Sequence, residues 1–171
     1  MSTTASTLRP LPLYTPSQRA RRDATVWTTV QGVLAPLQFL VFAVSLVFVL
    51  RYLATGDGYQ AATVSILIKT ALLYTIMITG AIWEKVVFGQ YLFAPAFFWE
   101  DVVSFVVIAL HSLYLYGLLT QSLSPVQLML VALAAYATYA MNATQFLLKL
   151  RRARLDSDAP SRTSPKSGHP A

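Results

Sequence analysis

The stretch from Ile82 to Ser104 reads IWEKVVFGQYLFAPAFFWEDVVS, and it sets Glu84, Glu100 and Asp101 around a run of aromatic rings interrupted by Gly89 and Pro95. Carboxyls grouped in aromatic, partly dry surroundings suit acid and base work. A desolvated carboxyl keeps its proton and can donate it, while a wetter one stays ionised and can orient water. Trp83, Tyr91, Phe98 and Trp99 offer flat faces on which a ring system can stack, and Lys85 and Gln90 offer polar contacts beside them. An ordinary connection between helices is short and polar. The centre of this one, Val86 to Phe98, is almost wholly apolar, which points to a segment that dips into the headgroup region or folds under a bundle. Each residue also has a plainer reading: Glu84, Lys85, Glu100 and Asp101 can simply mark where helices leave a membrane. Glu100 and Asp101 also suit a helix N-terminus for electrostatic reasons alone.

The elements that position these groups follow from composition. Of the 171 residues, 56% are hydrophobic and 12% charged, against about 25% charged in an average soluble domain. The excess lies in runs of the roughly 20 apolar residues needed to cross a bilayer core. Four spans are expected: Gln31 to Leu53, ending at the Thr55-Gly56-Asp57-Gly58 turn; Ala61 to Trp83, interrupted only by Lys69; Glu100 to Leu119; and Ser124 to Lys149, with Ser124 as N-cap and Pro125 at the first helical position. The fold class is therefore all-α and polytopic, with four transmembrane helices and an aromatic-rich loop between the second and third. Residues 1–26 read as a basic arm, 27–154 as the membrane domain and 155–171 as a disordered tail.

Lysines and arginines fix the orientation. The arms and the middle loop carry Arg9, Arg19, Arg21, Arg22, Lys85, Lys149, Arg151, Arg152, Arg154, Arg162 and Lys166, whereas Arg51 is alone on the other side, so both termini are expected in the cytoplasm. The net charge of +6 thus reflects topology and does not indicate a nucleic-acid partner. The absence of cysteine excludes disulfides, thiolate metal sites and cysteine nucleophiles.

Residues three, four, seven or eleven apart share a helix face. Gln31, Gln38 and Ser45 form such a stripe, as do Glu100, Ser104 and His111, and again Thr138, Asn142, Gln145 and Lys149. Lipid offers no hydrogen bonds, so these stripes should turn inward and outline a polar pocket open to the cytoplasmic side. Asn142 and Gln145 can equally be interhelical glue, Lys69 can snorkel or pair, and His111, about 16 Å deep, can be satisfied by a neighbouring hydroxyl.

The runs RRDATVW at 21–27, LAPLQFLVF at 34–42, RYLATGDGY at 51–59 and above all GAIWEKVVFGQYLFAPAFFWEDVVS at 80–104 resemble the 3-vinyl bacteriochlorophyllide hydratase family, over a length from Tyr14 to Arg154. The resemblance implies an enzyme of the bacterial inner membrane that adds water across the C3-vinyl group of a magnesium chlorin to give a 1-hydroxyethyl group. It implies no cofactor beyond pigment and water, and other enzymes of bacteriochlorophyll synthesis as candidate partners. Protonating the terminal vinyl carbon leaves a cation that the macrocycle delocalises, and water then attacks the inner carbon, so an acid, a base and a placed water are required. Glu84 and Glu100 are the expected acid and base, in unassigned order, with Asp101 assisting. Trp83, Tyr91, Phe98 and Trp99 would stack on the chlorin, Lys85 or Arg22 would pair with its propionate, and Gln38, Gln90, Asn142 and Gln145 would complete the binding set. His111 is a candidate axial ligand to the substrate magnesium, although a hard cation prefers oxygen. Two other classes fit the same residues: a non-catalytic pigment-binding or assembly protein, and an isomerase of sterol-like lipids that protonates an alkene.

Overall fold

The computed structural model describes residues 13–158, and the first twelve residues and the last thirteen lie outside it. Five helices follow one another: α1 Pro16–Ala24, α2 Val26–Thr55, α3 Tyr59–Phe88, α4 Phe98–Leu119 and α5 Pro125–Asp158. No strand occurs among the described residues. α2 to α5 contain the four segments long and apolar enough to cross a membrane, as their composition requires.

Helix ends obey local chemistry. Thr15 caps α1 in a reciprocal box with Gln18, and Ser124 and Gln127 do the same at the start of α5, with Pro125 behind Ser124 as expected. α2 stops where Gly56 takes up a left-handed conformation, and α3 stops in the same way at Gly89, φ +89°. A side chain at Gly89 would be strained by its backbone alone. The helices are longer than the apolar runs that announce them. α3 continues past Trp83 because nothing breaks it before Gly89, so Glu84 and Lys85 are helical residues and the aromatic connection shrinks to 89–97. α1 forms inside the expected arm, and α5 runs on past Arg154 to Asp158. The remainder of the expected tail lies outside the described residues.

The chain folds as two hairpins, α2 against α3 and α4 against α5. These meet most closely through α2 and α5, and α3 and α4 lie further apart and meet through side chains. A Tyr74 to Ser112 hydroxyl bond of 2.7 Å bridges α3 and α4. Phe42, Val49, Ile66, Leu73, Val107, Tyr114, Met129 and Tyr136 form the common core. The outer faces are apolar and exposed, as at Leu40, Val47, Ile78 and Leu130, whereas Gln38, Ser45, Lys69, His111 and Asn142 are buried. Apolar outside and polar inside is the arrangement lipid favours, because interior polar groups find partners there and lipid has none to offer.

The chain contains no cysteine, so orientation can be read with single reporters. Asp57→Cys should react with a membrane-impermeant maleimide from the periplasmic face, and Ser17→Cys only after the membrane is opened. The reverse pattern would invert the topology drawn from the basic residues.

Candidate active site

Local geometry at the 89–97 connection assembles the site. Gly89 turns the chain out of α3, Phe97 precedes α4, and between them the backbone passes under the helix ends with Phe93 in a left-handed conformation, φ +59°. That conformation costs a residue with a side chain about 1–2 kcal/mol. It is held by two carboxyls. The Phe93 N–H donates to Asp101 Oδ2 at 2.7 Å, and the Ala94 N–H donates to Glu84 Oε2 at 3.2 Å.

Glu84 and Asp101 thus accept from consecutive N–H groups of one turn, which sets the two carboxyls side by side. Neighbouring buried carboxyls disfavour double ionisation, so such a pair is suited to work with one proton between them. Both are nearly closed off, 5% and 4% exposed. The arrangement can therefore give a proton at one oxygen and take one at the other.

Glu100 has a different partner. Consecutive helical residues point about 100° apart, so Glu100 and Asp101 cannot face the same spot. Asp101 turns to Glu84, whereas Glu100 turns to α5 and accepts from Lys149 Nζ at 2.5 Å. The same ammonium donates to the Ala96 carbonyl and stands 5.0 Å from the Phe97 ring centroid. Lys149 thus clamps the connection, α4 and α5 together. Its sequence signal was its place on the Asn142 stripe, but at a helix end it reads first as a topology marker.

The aromatic floor divides in two. Trp83 belongs to a knot with Phe88 and Phe97, centroids 5.8 and 5.7 Å away. Tyr14 stacks on Phe88 and Phe146 on Phe97. The Trp83 indole N–H is spent on Thr28 at 3.0 Å. On the outside, Phe93 stacks on Phe105 at 5.4 Å and lies beside Phe98, which meets Trp99 edge-on at 5.4 Å. These rings and Tyr91 are exposed, Trp99 to 70%. Phe93 and Phe105 are new members. Phe105 stands seven residues beyond Phe98, a spacing that could have found it.

The other expected contacts are scattered. Lys85 is exposed, donates to the Gly89 carbonyl at 2.8 Å and lies 5.3 Å from the Tyr91 centroid. Gln90 is exposed and bonds Leu92. Arg22 pairs with Asp23 and covers Tyr14. Gln145 is exposed, outside the interior stripe to which its spacing assigned it. Asn142 is buried and donates to Ser104 Oγ at 2.6 Å, and Gln38 is buried nearer α2's N-terminal end. His111 is buried ten residues along α4 from Asp101, about 15 Å of helical rise.

The family model for 2-vinyl bacteriochlorophyllide hydratase matches residues 14–152. The chain belongs to this family. A protein named 2-vinyl bacteriochlorophyllide hydratase from Cereibacter sphaeroides is 75% identical over 147 residues, covering 86% of this chain and 91% of that relative. One of the same name from Rhodobacter capsulatus is 72% identical over 145 residues, covering 85% and 84%. No solved structure matches. The family named by the sequence resemblance and the one matched differ only in the number given to the vinyl position. The matched region runs from Tyr14, which packs the aromatic knot, through Lys149 of the clamp, so every group of the candidate site lies inside it.

The clamp predicts a non-additive mutant cycle. Lys149→Met should destabilise the protein by about 1–3 kcal/mol, because buried Glu100 and the Ala96 carbonyl lose their donor. Adding Glu100→Leu should recover part of that loss, as read by thermal unfolding in detergent.

Proposed function

We propose that this chain adds water across the vinyl group of a bacteriochlorophyllide, with Glu84 and Asp101 as the acid and base pair. The observation that carries this reading is that two buried carboxyls from different helices accept from consecutive N–H groups of the 89–97 connection. The carboxylic acid gives its proton to the terminal vinyl carbon, and the carboxylate takes one from the water that attacks the inner carbon. The pair ends as it began, with one proton, and the product has gained one water. The remaining negative charge lies beside the carbocation as it forms, where electrostatic stabilisation is greatest.

The substrate reaches the pair from the exposed side. The ledge of Phe93, Phe98, Trp99 and Phe105 receives the macrocycle face, and the 89–97 connection yields its bonds to the carboxyls as the vinyl group arrives. Strain at Phe93 favours that release. Lys85, exposed beside the ledge, is the candidate partner for the pigment's carboxylate. Magnesium comes with the pigment, and a vinyl substituent lies much nearer its own ring centre than Asp101 lies to His111, so His111 stands apart from the pigment-contacting set. The family's pigment chemistry and the four apolar helices support a place in the bacterial inner membrane.

Loss of a general acid or base costs about 10²- to 10⁴-fold. Glu84→Gln and Asp101→Asn should each lower kcat within that range, followed in membranes by disappearance of the vinyl pigment and a mass gain of one water in the product. Glu100→Gln should act mainly through stability. Near-normal turnover by both pair variants would remove the assignment, and an unaltered pigment with demonstrated binding would favour the non-catalytic pigment carrier.

A further inference from the structure

Away from the carboxyl pair, the greatest unmet demand for hydrogen bonds lies inside the bundle. Gln38 Oε1, Lys69 Nζ, His111 Nε2 and Asn142 Oδ1 are buried without a hydrogen-bond partner. They come from all four spanning helices. Lys69 and His111 are 0% and 1% exposed. A run of ring contacts links Lys69 to His111. Lys69 Nζ lies 3.7 Å from the centroid of Tyr139, whose ring is 5.0 Å from Phe42. Phe42 is 5.4 Å from Tyr136, which lies 5.9 Å from the His111 ring. Gln38 and Asn142 stand one turn from Phe42 and Tyr139, on the side of the carboxyl pair.

The groups are chemically complementary. His111 Nδ1 faces the Val107 carbonyl at 2.8 Å, and since a carbonyl only accepts, Nδ1 carries the hydrogen and Nε2 presents a lone pair. Gln38 and Asn142 present carbonyl oxygens, and Lys69 presents hydrogens. A donor and three acceptors share the interior without touching. A buried polar group left unmet is destabilising. Small polar molecules that both donate and accept remove that cost, and buried water typically makes about three such bonds.

We propose that this part of the bundle is a hydrated site, in which water bridges Lys69 to His111, Gln38 and Asn142. The chain of bonds continues from Asn142 through Ser104 toward Asp101, one turn away on α4, and supplies the water that the reaction consumes. This supply role rests on the Glu84 and Asp101 reading, whereas the hydrated site does not.

Radiolytic hydroxyl-radical footprinting of the full-length protein in lipid nanodiscs tests it, because bound water is activated in place and marks the buried side chains it touches. Corrected for intrinsic reactivity, Tyr139 and His111 should label faster than Met129, which is buried like His111, 0% against 1% exposed, but in apolar surroundings. Lys69→Met should abolish the excess while labelling of exposed Trp99 stays the same. Equal protection of Tyr139, His111 and Met129 overturns the hydrated site, as does labelling that ignores Lys69→Met. Asn142→Leu should lower kcat with the KM for pigment unchanged, and an unchanged kcat overturns the supply role. The footprint needs neither pigment nor turnover, so it is read independently of whether the chain is a hydratase.

Discussion

Two carboxyls cannot remain ionised in contact inside a protein, and the structure depends on how that conflict is settled. Glu84 and Asp101 sit side by side, and each accepts an N–H from the 89–97 connection. Both constraints act on the same few atoms. The connection keeps its left-handed turn at Phe93 because the carboxyls hold it, and the carboxyls stay dry because the connection covers them. Asp101, in the first turn of α4, is favoured by the helix dipole when it carries the negative charge.

From that contact the rest of this end of the bundle is organised outward. Lys149 fixes the second half of the connection through Ala96 and holds Glu100 away from the pair. The Trp83, Phe88 and Phe97 knot buttresses the helix ends, and Arg21 of α1 reaches the Val87 carbonyl at 3.0 Å, meeting one of the acceptors that the end of α3 leaves unpaired. A rigid underside faces a strained cover. Chemistry that requires a dry carboxylic acid and yet admits a large planar substrate needs both.

The four spans were legible because lipid imposes length and apolarity, and the caps at Ser124 and Gly56 because they are local. The interior stripe of Glu100, Ser104 and His111 was legible from spacing alone. Gln145 shows the limit of that reasoning: a polar residue near a helix end can meet water outside the bundle, so periodicity does not force it inward. The pairing of Glu84 with Asp101 rather than Glu100 depended on how far α3 and α4 turn before they meet, a rotation no spacing within one helix encodes. Trp83 was read as a pigment contact, and its ring is instead engaged by Thr28 and Phe88, partners distant from or hidden within the motif.

The outward ledge of Phe93, Phe98, Trp99 and Phe105 is exposed at the end of the third apolar helix. A ligand that partitions into a leaflet is presented to such a surface in two dimensions, so occupancy follows its mole fraction among the lipids rather than its molarity in the vessel. Diluting vesicles at a fixed ratio of pigment to lipid leaves saturation untouched, while adding empty vesicles starves the protein without any inhibitor being present.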